Sequence, residues 1–170
     1  MRDGLLNSPL EPDERQVLDD IAEYGWHVVG IEAEGTSPAW AFTIGLYETY
    51  RHPEILIMGL PVEALMEILN GIGENVKGGA MYRAGMRYGD IVDGNFDCGF
   101  EIVDTDLYGD YAGFALWFYG GPSFPMLQCL WPDRENRLPG NAGFPERLAE
   151  LQQMTPLEWG PSVETLLGDE

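Results

Sequence analysis

The chain has 170 residues, 45% of them apolar, with five Trp, eight Tyr and seven Phe, which is enough for one hydrophobic core and too aromatic for a disordered chain. Twenty-nine acids against nine bases give a net charge of −20, a field that repels phosphate backbones and anionic lipid and so argues against nucleic acid or a membrane surface as a partner. No apolar run approaches the roughly 20 residues that span a bilayer, and residues 1–15 hold no apolar signal segment, so the expectation is a cytoplasmic, soluble protein.

Residues 1–11 read as an N-terminal arm. Ser8 followed by Glu11 resembles a capping box, Pro12 suits a first helical turn, and Val17, Leu18, Ile21, Ala22 and Tyr24 recur at helical spacing before Gly25, predicting a helix over 12–24. Residues 26–33 and 39–46 are β-rich and flank Gly, Thr, Ser and Pro at 35–38, which predicts a hairpin. Residues 54–59 are almost continuously apolar, as in a strand buried on both faces. Pro61 opens an amphipathic helix carrying Val62, Leu65, Ile68, Leu69 and Ile72, with Gly73 as its expected stop. Glycines punctuate 74–95, where a short strand from Met86 to Val92 is expected among turns. A strand over 96–103, a helix from Asp104 or Thr105 to Tyr119, a strand over 125–131, a polar loop over 132–143 and a short helix near 145–153 complete a globular domain over 12–154. An acidic tail over 155–170 follows, in which Trp159 is a candidate for docking.

Strands mix with helices without strict βαβ alternation. The predicted class is therefore α+β: a single domain with a mainly antiparallel sheet of about five to six strands, covered by three to four helices.

Chemistry-bearing residues are few. Two histidines and two cysteines, His27, His52, Cys98 and Cys129, are scattered, so no metal site is expected, no cofactor follows from the residues, and the cysteines read as buried thiols. His52 precedes Pro53 and Glu54 at the start of a strand, where a histidine with a carboxylate nearby serves as a base; the structural alternative is a loop histidine bonded to backbone. His27, in mid-strand, reads as packing or surface. Thr43 and Gly45 near a strand end would let a ligand meet side chain and main chain together, or else mark a half-buried threonine beside a bulge. In the run Gln128 to Asp133, Trp131 offers a stacking face, and Asp133 either caps a turn or anchors Arg134, Arg137 or a ligand amine. Tyr119 is a second candidate wall. The candidate catalytic residues are His52, Glu54 and Asp133, and the candidate ligand-binding residues are Thr43, Gly45, Gln128, Trp131 and Tyr119.

Gly25-Trp26-His27-Val28-Val29, Ala41-Phe42-Thr43-Ile44-Gly45-Leu46, His52-Pro53-Glu54-Ile55, Met58-Gly59-Leu60-Pro61, Leu127-Gln128 and Trp131-Pro132-Asp133 occur in an order and spacing that resembles a bacterial family, domain of unknown function 4262, over roughly residues 12–145. The resemblance implies a small bacterial cytoplasmic domain and names no activity; it also implies that Thr43, His52, Glu54, Gln128, Trp131 and Asp133 share one pattern. Two functional expectations follow. The first is a pocket protein, binding or transforming a small molecule with polar residues at strand ends converging on one rim. The alternative is an acidic interaction module, of inhibitor or immunity type, that binds a basic protein partner.

Overall fold

The computed structural model describes residues 10–157. Helix α1 (Pro12–Tyr24) begins with a capping box, but between Glu11 and Glu14; Ser8 and Trp159 both lie outside the described residues. The helix stops at Gly25, whose N–H returns to the Ile21 carbonyl. Strands β1 (His27–Ile31) and β2 (Trp40–Ile44) form the expected antiparallel hairpin, closed by a bridge between Glu34 and Ser37. A short helix, α2 (Leu46–Tyr50), then leads into β3 (Glu54–Met58), all five of whose residues are buried.

Helix α3 (Val62–Lys77) runs four residues past its expected stop. Gly73 lies inside it because the Trp26 indole packs against its Cα, leaving no room for a Cβ. The strand expected over 86–92 shrinks to β4 (Arg87–Tyr88), paired with β5 (Cys98–Ile102). The long helix expected to reach Tyr119 is three pieces: a 3₁₀ turn over Thr105–Leu107, α4 (Tyr108–Tyr111) and α5 (Gly113–Tyr119). It breaks at Ala112 (φ −135°, ψ 44°), where the preceding Tyr111 carbonyl accepts the Trp40 indole N–H at 2.9 Å. Strand β6 (Met126–Leu130) and helix α6 (Glu146–Leu151) follow.

The six strands form one sheet in the order β1-β2-β3-β6-β5-β4. Only the central β3–β6 pair is parallel; the other pairings are antiparallel. The class is α+β as predicted, with more helices than the three to four expected, because α2 was not foreseen and one predicted helix is broken. Strand alternation divides the core. Ala41, Ile55, Ile57, Phe100, Leu127 and Cys129 meet Leu65, Leu69, Ile72 and Val76 of α3 on one face. Trp40, Phe42, Ile44, Leu56, Met58 and Met126 meet α1, α4 and α5 on the other. Cys98 and Cys129 are both buried, as free thiols. Among the described residues no helix is long and apolar enough to cross a membrane.

Gly73 yields a test. At an exposed helical position Gly→Ala stabilises by about 1 kcal/mol. Here Gly73→Ala is expected to destabilise by about 1–3 kcal/mol through overpacking against Trp26, measured as a lower denaturant midpoint.

Candidate functional site

The Glu54 side chain begins β3 on the face covered by α5 and is fully buried. Its carboxylate accepts from Thr43 Oγ1 at 2.8 Å, from the backbone N–H groups of Gly45 at 2.9 Å and of Leu46 and Tyr47 at 3.2 Å each, and from the Tyr119 hydroxyl. Three of these donors are the open N–H groups around the first turn of α2, which a carboxylate satisfies well. Gly45 makes the turn: its φ is +109°, and a Cβ there would lie 2.9 Å from both the Gly25 carbonyl oxygen and Ile21. The network extends outward, since Thr43 Oγ1 also accepts the Ile55 N–H at 2.9 Å and the Tyr119 oxygen accepts the Glu48 N–H at 3.1 Å. Burial pushes the Glu54 carboxyl up to about 6, against Tyr119, Thr43 and the Tyr47 and Gly45 N–H groups, which pull it down. It is ionised at neutral pH, the form its donors require. Burial and the Glu54 charge together push the Tyr119 phenol up, so Tyr119 is the fixed donor.

His52 turns away from Glu54, toward the layer of α3. The Tyr82 backbone N–H donates to its Nε2 at 2.9 Å. Because that donor is a backbone amide, Nε2 is the bare nitrogen, and Nδ1–H donates to the Pro53 carbonyl at 2.8 Å. Burial lowers the imidazole's pKa, with the Pro53 carbonyl opposing. His52 is therefore neutral, wholly buried, and has both ring nitrogens engaged. Its partner Tyr82 carries on the polar chain, its hydroxyl accepting from Asn75 at 2.9 Å and donating to Asp90 at 3.0 Å.

The remaining candidates sit farther along the sheet. Gln128, opposite Leu56, donates to the Gln152 carbonyl. The Gln152 side chain brackets the Trp131 backbone, accepting its N–H at 2.9 Å and donating to its carbonyl at 3.0 Å. The Trp131 indole N–H donates to the Met58 carbonyl at 2.7 Å. Asp133 closes its own turn, accepting from the backbone N–H groups of Glu135 at 2.9 Å and Arg137 at 2.8 Å, and from Arg137 Nε at 2.7 Å. Burial raises this carboxyl, but the Arg137 and Glu135 donors and the Arg137 charge outweigh it and hold it below the usual range.

The predicted residues thus fall into separate groups. Thr43, Gly45, Glu54 and Tyr119 come together; His52 lies beside them but faces the opposite layer. Gln128, Trp131 and Asp133 belong to the other end of β6: Glu54 pairs with Met126, and Trp131 stands five residues on, about 16 Å at the rise of an extended strand. Trp131 and Asp133 line a shallow cleft of 310 Å³ with Leu60, Val92, Phe96 and Arg134. Among the described residues every buried side-chain nitrogen and oxygen has a hydrogen-bond partner, and no group of three or more His, Cys, Asp or Glu could hold a metal ion.

A different set of polar residues surrounds a larger cleft. Asp20, Tyr24, Trp26, His27, Val28, Met66, Asn70 and Glu74 line 460 Å³ between α1, β1 and α3. The Gly25 turn folds the last turn of α1 back over β1, and His27 Nδ1 lies 2.6 Å from Asp20 Oδ2. Gln16 holds the other Asp20 oxygen at 2.7 Å. Asn70 Oδ1 accepts the Trp26 indole N–H at 3.0 Å, setting the indole as an inner wall. Residue type alone did not single these out. The available signal was the 66, 70, 74 spacing, which places Met66, Asn70 and Glu74 on one stripe of α3.

The fold and its bonded polar interior define a small α+β protein with a lateral cleft. The family model described as Domain of unknown function (DUF4262) matches residues 20–145, and the chain belongs to that family. No curated protein and no solved structure matches it.

The buried groups set three expected outcomes. Tyr119→Phe removes a donor to Glu54, so a carboxyl ¹³C titration should find its midpoint above that of the parent chain, where burial pushes it up to about 6. The parent itself holds this proton more tightly than an ordinary glutamate near 4.5. The stability linked to this proton is therefore fully present below pH 4.5 and falls by about 2 kcal/mol as pH rises through 6, the part of the carboxylate's desolvation that its donors do not offset. His52→Ala strands the buried Tyr82 N–H and is expected to lower stability by about 1–3 kcal/mol, read from the denaturant midpoint.

Proposed function

We propose that this protein binds a small molecule in the cleft between α1, β1 and α3. The observation that carries the reading is the Asp20–His27 pair at the cleft: Asp20 orients the imidazole through Nδ1, and among the described residues Nε2 has no protein partner. A histidine so held presents its second nitrogen to whatever enters. Trp26, Val28 and Met66 supply an apolar floor, and Asn70 and Glu74 add polar groups above it. The volume of 460 Å³ falls within the usual range for ligand sites, roughly 300–1,000 Å³. The groups around Glu54 and His52 support the same reading indirectly, since their polar atoms are engaged within the protein. The alternative of an acidic module for a basic protein is supported by the net charge of −20.

A fragment set of mixed charge, followed by amide ¹H–¹⁵N spectra of the full chain, tests the location. Binding is expected to shift the amides of Asp20, His27, Asn70 and Glu74 together. Shifts confined to residues 131–134, or an absence of saturable shifts at the α1–β1–α3 cleft, would contradict the reading.

A further inference from the structure

Resting on the reading of this cleft as a binding site, we propose that its ligand is a free organic amine: an ammonium or amidinium head on an apolar body about the size of one aromatic ring. The charged side chains around the cleft are carboxylates, and the Asn70 amide and Tyr24 hydroxyl are neutral. Asp20 contributes a carboxylate whose oxygens each carry one protein partner and have lone pairs to spare. Glu74 contributes a second carboxylate, on the exposed side of α3. His27 places Nδ1 2.6 Å from Asp20 Oδ2 and leaves Nε2 without a protein partner among the described residues. The Trp26 indole N–H is already given to Asn70, and among the described residues no Lys or Arg lines the cleft. A ligand entering here displaces water from two carboxylates. That desolvation is offset only by a group that is both positive and rich in N–H donors. A carboxylate or phosphate would meet like charge with no Lys or Arg to hold it.

The walls fix the rest of the ligand. Val28, Met66 and the buried Trp26 indole present carbon, and Tyr24, 54% exposed at the rim, offers an aromatic face of the kind that attracts cations. The field of a −20 chain raises the local concentration of cations everywhere on the surface. Selectivity therefore has to come from the cleft and not from the field.

The experiment is a titration of the full chain with benzylammonium, benzyl alcohol and benzoate, at about 0.15 M salt, where the diffuse field is screened beyond roughly 8 Å. Amide and indole signals and the His27 ring nitrogens are followed. Benzylammonium is expected to saturate, with shifts confined to the cleft and to His27 Nε2, while benzoate gives none and benzyl alcohol binds at least roughly tenfold more weakly, the effect of one charged hydrogen bond. Glu74→Gln, at an exposed position that does not threaten folding, should weaken benzylammonium by a similar factor; Asp20→Asn should do the same. Equal binding of the alcohol, or tighter binding of benzoate, would overturn the amine assignment while leaving the cleft as a binding site. Benzylammonium shifts that never saturate and spread over the acidic surface would overturn it as well. A lysine-rich peptide that fills the cleft where benzylammonium does not would move the cation from a free amine to a protein side chain, and so refute the proposal.

Discussion

The Glu54 carboxylate joins parts of the chain that no single strand pairing connects. It stands at the first residue of β3 and takes donors from β2, from the opening turn of α2 and, through Tyr119, from α5. An ionised carboxylate in a dry interior is unfavourable by several kcal/mol unless its lone pairs are filled. Here the donors are themselves groups that would be orphaned without it: three N–H groups around the start of a five-residue helix too short to be stable alone. Acceptor and donors therefore stabilise one another, and neither half has reason to persist without the other.

The rest of the site region follows from that junction. With α2 anchored by its first turn, the chain leaves it through Arg51 in a left-handed conformation (φ 59°) and reaches His52-Pro53 on the opposite face of the sheet. His52 then fastens the Tyr82 backbone, and Tyr82 stacks on Phe100 at 5.1 Å and meets Tyr88 edge-on at 4.8 Å. The glycine-punctuated segment after α3 is thereby pinned to the sheet. At the far end of β3 and β6, the Trp131 and Gln152 bonds secure α6 in the same manner. Polar groups in this protein's interior act as fasteners between layers. The groups turned toward solvent along the α1–β1–α3 cleft are the ones left to meet a ligand.

Much of the fold was legible because its signals are local. The run Ile55–Met58 after Glu54 is apolar on both faces, and its position in mid-sheet bears this out; Val62, Leu65, Leu69 and Ile72 keep helical period and pack as one stripe. The misses have tertiary causes. Leu46–Tyr50 is too short to show a period and is held by a carboxylate eight residues on. Gly73 looks the same in sequence whether it ends a helix or admits an indole. The break at Ala112 depends on Trp40, far away in the chain. The candidate site was legible in one respect only. Thr43, His52, Glu54, Gln128 and Asp133 stand out as polar residues at the margins of apolar runs, and all five are buried and bonded. Sequence cannot say whether such a residue bonds its own backbone or a ligand, because both need the same atoms at the same strand ends. His27 reads in sequence as packing or surface, and its pairing with Asp20 is not visible there because a turn at Gly25 brings the two together from different elements.

Equilibrium unfolding of Glu54→Gln tests the central role of the carboxylate most directly. Glutamine preserves shape and one acceptor oxygen but turns an amide N–H toward donors that need an acceptor. A loss of about 1–3 kcal/mol is expected, the cost of buried N–H and O–H donors left without an acceptor. A variant within about 0.5 kcal/mol of the parent, the range of an ordinary surface substitution, would contradict it.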